Sequence, residues 1–162
     1  MYLPKKKKSL YSSFMPINNY PFRQVTSNKS MRPMLEVKYI NPHTGKSLPT
    51  WALIDSGADN CVLPSSFAEV LGHNLEAGER VDIVGAGGDS FGYKHTMKME
   101  IDGFQTEDVM ICFLPNLHQP LIGVSSFLSN FKLTIDYPKQ RFSLNFSEAE
   151  DLDSNPHSWG TP

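Results

Sequence analysis

No apolar run in this chain approaches the ~18 residues that a membrane-spanning helix needs. Cysteine is scarce. Cys61 and Cys112 are the only two, and each sits in an apolar, strand-like stretch where a buried reduced thiol is expected. The histidines His43, His73, His95, His118 and His157 are scattered. None stands at metal-ligand spacing from a Cys or Asp, so no metal and no cofactor is expected. Nucleotide loops are missing as well. A dinucleotide fingerprint through Gly85 would need glycine where Ser90 stands, and a phosphate loop from Gly87 would need lysine where Tyr93 stands. No internal repeat is present.

Charge of one sign is missing from each end. Residues 1–34 hold seven Lys/Arg and no acid, whereas residues 35–162 hold eight Lys/Arg against seventeen Asp/Glu, a balance of −9. From residue 147 onward the chain has four acids and no Lys or Arg. Both ends are rich in Pro, Ser and Asn and lack periodicity, which predicts a flexible basic arm over 1–33 and a flexible acidic tail over 147–162. The run Lys5–Lys8 has no apolar segment behind it and so does not read as a secretory signal. A cytoplasmic protein is expected. Contact of Lys5–Lys8 with nucleic acid or a membrane is weighed below a solvated arm.

Between the ends, 162 residues with 40% apolar content fit one domain. Alternation over 34–40 predicts a half-buried strand, Asn41–Gly45 a turn, and 49–54 a second strand. Ser66 and Glu69 stand at capping-box spacing before Gly72, predicting a short helix. Residues 75–84 and 91–101 flank Gly85-Ala86-Gly87-Gly88, the pattern of a long hairpin with a glycine tip. Further strands are predicted over 104–114, 132–136 and 141–146, with a short helix from Ser125 or Ser126 to Asn130. Many short strands at regular spacing imply an all-β, barrel-like fold.

The most informative stretch is Leu53-Ile54-Asp55-Ser56-Gly57-Ala58-Asp59-Asn60-Cys61-Val62-Leu63. An apolar strand delivers one carboxylate onto a Ser-Gly turn, and a second apolar segment follows at once. Carboxylates rarely enter apolar surroundings unless they are paired or used. An Asp-[Ser/Thr]-Gly triplet alone arises by accident in roughly one chain in fifteen of this length, so the flanks carry the weight. Taken with Ile83-Val84-Gly85-Ala86-Gly87-Gly88 and Pro120-Leu121-Ile122-Gly123, in that order, this stretch resembles the retropepsin-like aspartic proteases, the retroviral-type single-domain family. The resemblance spans about residues 34–146.

The resemblance implies a closed β-barrel acid-protease fold with one or two short helices, working as a homodimer on protein or peptide substrates. Asp55 would be catalytic, with Ser56 and Gly57 supporting its loop. Asp-[Ser/Thr]-Gly occurs once, so the second carboxylate would come from another copy of the chain. Gly57, Ala58, Asp59 and Asn60 would meet the substrate backbone. Gly85, Ala86 and Gly87 would form a mobile flap. Leu53, Val62, Val84, Leu121 and Ile122 would line apolar subsites or serve as core. Ala58 offers no hydroxyl to the carboxylate, which favours activity at weakly acidic rather than strongly acidic pH. One departure stands out: Val124-Ser125 follows Ile122-Gly123, where the retroviral pattern carries Arg and then Asp or Asn to tie down the catalytic loop and support the dimer. The rival expectation is a silent member of the fold that dimerises or binds peptides without cutting them.

Overall fold

The computed structural model describes residues 16–24, 30–85 and 88–146. Lys5–Lys8, Ala86, Gly87 and the tail beyond 146 lie outside them. The protein is all-β, as expected. Its strands are β1 (Ile17–Pro21), β2 (Met34–Ile40), β3 (Ser47–Ile54), β4 (Val62–Pro64), β5 (Glu79–Gly85), β6 (Gly88–Ile101), β7 (Phe104–Gln105), β8 (Val109–Leu114), β9 (Leu121–Ile122), β10 (Phe131–Asp136) and β11 (Arg141–Phe146). The helical pieces are α1 (Phe67–Val70) and two 3-10 turns, Leu75–Ala77 and Leu128–Asn130.

The long strands follow their sequence period. In β2, Met34, Leu35, Val37 and Tyr39 are buried while Glu36 is exposed. The β2–β3 turn is fixed by Asn41, whose side chain accepts from His43 N at 2.9 Å and donates to Leu71 O at 2.8 Å. This ties the hairpin to the end of α1. The main sheet runs β2-β3-β9-β4-β8-β6-β5, with β7 on β6. β2 also pairs with β6, so the path returns on itself around a core that includes Tyr39, Leu63, Met97, Met99, Ile111 and Phe113.

One connection positions the site. β9 lies between β3 and β4, parallel to β3 at Leu53–Leu121 and Ile54–Ile122, and antiparallel to β4 at Val62–Leu121. The chain between β3 and β4, residues 55–61, must therefore arch over the end of β9.

Three expectations are corrected. The arm does not run free to residue 33: β1 pairs with β11 at the edge of the three-stranded sheet β1-β11-β10, Phe22 is buried, and Arg23 bridges to Arg32. Ile17 and Phe22 bury enough apolar surface to hold a segment whose composition looked unstructured. Ser66 makes no capping hydrogen bond, because its backbone is already helical rather than extended. The predicted second helix is only the 3-10 turn Leu128–Asn130, again without a side-chain cap.

Candidate active site

Asp55 follows β3 directly and is half-buried. Its backbone N–H donates to Ile122 O at 3.0 Å, extending the β3–β9 pairing by one residue. The chain then turns. Gly57 N–H donates to Asp55 Oδ1 at 2.9 Å, and Ala58 N–H to Asp55 O at 3.2 Å. One carboxylate oxygen is thus held by the loop's own backbone. The other accepts no hydrogen bond from the described residues. Ala58 puts no hydroxyl beside it.

The loop is clamped from below by the segment after β9. Val124 N–H donates to Ala58 O at 2.9 Å and Ser125 N–H to Asp59 O at 2.7 Å. Gly123 fits beneath because it has no side chain: a Cβ there would overlap the Asn60 carbonyl group and lie 2.8 Å from Ala58 O. These backbone donors tie the loop to the segment after β9, and Val124 adds no charged side chain to them.

Asp55 opens onto a cleft of about 710 Å³. Gly57, Ala58, Asp59 and Asn60 form one side and Val81–Gly85 of the β5–β6 hairpin the other, with Val62, Lys94, Cys112, Leu114 and Leu121 between them. The hairpin lies close to β8 because position 92 is glycine. A Cβ there would sit 2.6 Å from both Leu114 Cδ2 and Phe113 O. Val84, at 86% exposure, and Phe91, at 39%, stand out near the hairpin end. A second groove, about 510 Å³, runs between β1, β2 and β6. It holds none of the Asp55 loop.

Of the residues singled out in the sequence, the cleft brings together Asp55, Gly57, Ala58, Asp59, Asn60, Val62, Val84, Gly85 and Leu121. Ile122 and Leu53 do not line it. Ile122 is fully buried in the core, and Leu53 is wedged between its strand partners Met34 and Leu121. Ser56 is exposed at the turn. Val81, Asp82, Ile83, Lys94, Cys112 and Leu114 were missed. They reach the cleft through long-range register, with Glu79 opposite Lys94, Lys94 opposite Cys112 and Cys112 opposite Val62. Only the hairpin alternation hinted at them.

Neither cysteine suits a nucleophile. Burial pushes the Cys61 thiol up to about 11, although the Gly123 N–H and the Ser126 hydroxyl pull the other way. Burial also raises Cys112, partly offset by Lys94. Both are free thiols. Cys112 shares a sheet face with Val62, so the adjacent Cys61 points to the other face. Among the described residues no group of His, Cys, Asp and Glu gathers to hold a metal ion. No helix of the described residues is long and apolar enough to cross a membrane.

A family model described as aspartyl protease matches residues 42–126, just over half of the chain. Among solved structures, a retropepsin-like aspartic protease from Rickettsia conorii aligns with a TM-score of 0.53 at 20% identity, over 72% of this chain and 100% of its own. The EIAV protease complexed with the inhibitor HBY-793 gives a TM-score of 0.42 at 22% identity, over 61% of this chain and 88% of its own. No curated protein matches the chain.

Proposed function

The chain belongs to the aspartyl protease family, and from that membership we propose that it is a homodimeric aspartic endopeptidase whose catalytic pair is Asp55 from each of two copies. The observation that carries this reading is the setting of Asp55. A single carboxylate, held by the Gly57 backbone N–H on a loop clamped over β9, opens on a cleft of about 710 Å³ walled by a hairpin.

The chemistry needs two carboxylates. One, ionised, takes a proton from water as the oxygen attacks the peptide carbonyl. The other, protonated, gives its proton to the carbonyl oxygen; the proton taken from water then passes to the leaving nitrogen as the C–N bond breaks, and the hydroxyl formed from the carbonyl oxygen returns its proton to restore the pair. As is established for paired aspartates, two carboxyls a few ångströms apart share one proton, because both cannot ionise together. Asp-Ser-Gly occurs once per chain, so a two-fold axis is the route to the second carboxylate. Gly57, Ala58, Asp59 and Asn60 then border the substrate backbone, and Val84 and Gly85 lie on the hairpin that covers it. Val62 and Leu121, both in the cleft wall, favour apolar side chains beside the cut.

The test is digestion of an unstructured protein and a peptide library at several pH values. Asp55→Asn should lower the cleavage rate by at least about 10²–10⁴-fold, the range that general acid–base groups contribute, with an unchanged unfolding midpoint. A wild type that cuts nothing beyond what Asp55→Asn cuts would sink the reading and favour a silent peptide-binding module.

A further inference from the structure

Among the described residues that line the cleft facing Asp55, one is a cation. Lys94 lies on β6, directly across from Cys112 of β8 on one side and Glu79 of β5 on the other. It lines the cleft together with Val62, Cys112 and Leu114. Its side of the wall is otherwise apolar, and the residue is half-buried. A half-buried ammonium usually has a carboxylate partner, because loss of water around the charge is costly. Among the described residues, Lys38, Lys98 and Lys139 have theirs, in Glu100, Asp108 and Asp136. Lys94 has no such partner within 4.0 Å among the described residues. Glu79 stands opposite but is exposed and beyond that distance. The other charged groups on the cleft, Asp55, Asp59 and Asp82, belong to the catalytic loop and the hairpin.

We propose that Lys94 is a specificity-determining residue that selects a substrate carrying an Asp or Glu side chain at the subsite bounded by Val62, Cys112, Leu114 and Lys94. This rests on the peptidase reading above. An extended peptide points successive side chains to opposite sides, so a single cleft wall meets only alternate substrate positions. A carboxylate arriving there replaces the water that the ammonium loses, and the charge-assisted bond forms against an apolar wall where screening is weak. A neutral amide of the same shape fills the space but leaves the ammonium unpaired. The preference is therefore for charge, over a background of apolar contacts.

The experiment uses peptide pairs that differ only as Glu against Gln, or Asp against Asn, at each position flanking the cut. Wild type should hydrolyse the acidic member of one pair about tenfold faster in kcat/KM. Lys94→Gln should bring the two members together. Lys94→Glu should invert the preference toward a Lys-containing peptide, and Lys94→Arg should keep it. The wild-type preference should also fade below about pH 4, where a substrate Glu becomes protonated. A change in packing alone would produce neither the inversion nor that pH dependence. Equal rates for every pair with wild type, or a preference that survives in Lys94→Gln, overturns the proposal and leaves the peptidase reading standing. If wild type and Asp55→Asn both leave all peptides intact, the peptidase reading falls. The same pairs are then passed over immobilised Asp55→Asn and Asp55→Asn/Lys94→Gln. Stronger retention of acidic peptides by the first protein alone supports the Lys94 site, and equal retention overturns it.

Discussion

A methyl group at position 123 has nowhere to go. Its carbon would overlap the Asn60 carbonyl group and press on Ala58 O, and all three neighbours are backbone, which cannot rotate aside. Gly123 thus sets how closely the strand end β9 approaches the loop that presents Asp55. The hydrogen bonds from Val124 and Ser125 depend on that approach. Gly123→Ala should cost about 1–3 kcal/mol in stability, the usual range for forced overpacking. It should lower peptide hydrolysis by more than the loss of folded protein explains, since the strain falls on the loop that presents Asp55. Urea unfolding alongside kcat/KM checks both. An alanine variant as stable and active as wild type would show that the loop yields, and that the clamp is not what orients Asp55.

At the scale of elements, the hairpin that walls the cleft is rooted on a pair of histidines. His73 follows α1 and His95 lies on β6, with ring centroids 4.5 Å apart. His95 Nε2 pairs with Leu75 O at 2.9 Å, joining β6 to the 3-10 turn that leads into β5. Burial, then the nearby His95 and His43, lower the His73 pKa from 6.5 to about 4. The unfolded chain takes up this proton near 6.5 and the folded protein only near 4. Between those values the unfolded state holds more protons, so stability is lost as pH falls through that window and is full above it. The ring is only partly buried, and screening by solvent keeps the loss to about 1 kcal/mol. His73→Asn, neutral throughout, should flatten the fall of Tm between pH 7 and 4.5 by roughly 3–5 °C. An identical fall in wild type and variant would remove His73 from the acid response.

Elements also explain what was legible. β2, β10 and β11 declare themselves by alternation and by turn residues at their ends. β4 and β9, three and two residues long, are too short to show a period, yet together with β3 they hold the Asp55 loop. β1 is polar on its open face and was read as arm. The Asp55 loop was legible because it is contiguous, Asp55 to Asn60. Lys94 and Cys112 were not, since they meet Val62 only through the pairing of β6 with β8 and β8 with β4. Ile122 misled for the opposite reason. It neighbours Leu121 in sequence, but the pleat sends it into the core.

At the scale of the whole molecule, the described protomer offers one Asp55 to its cleft, and hydrolysis by paired carboxylates needs two. If each active unit takes one aspartate from each of two chains, activity depends on how chains are paired as well as on how many are present. Wild type and Asp55→Asn, which share every surface outside one side-chain atom, should pair at random when mixed and allowed to exchange. Active units then scale with the square of the wild-type fraction, and an equal mixture at fixed total concentration should keep about one quarter of the full rate. A site complete within one chain would keep about one half. The same pairing predicts a specific activity that falls on dilution below the dimer dissociation constant, by mass action. A linear mixing curve would show that one carboxylate per chain suffices. The two-fold mechanism would then be wrong, even if the protein proves to cut peptides.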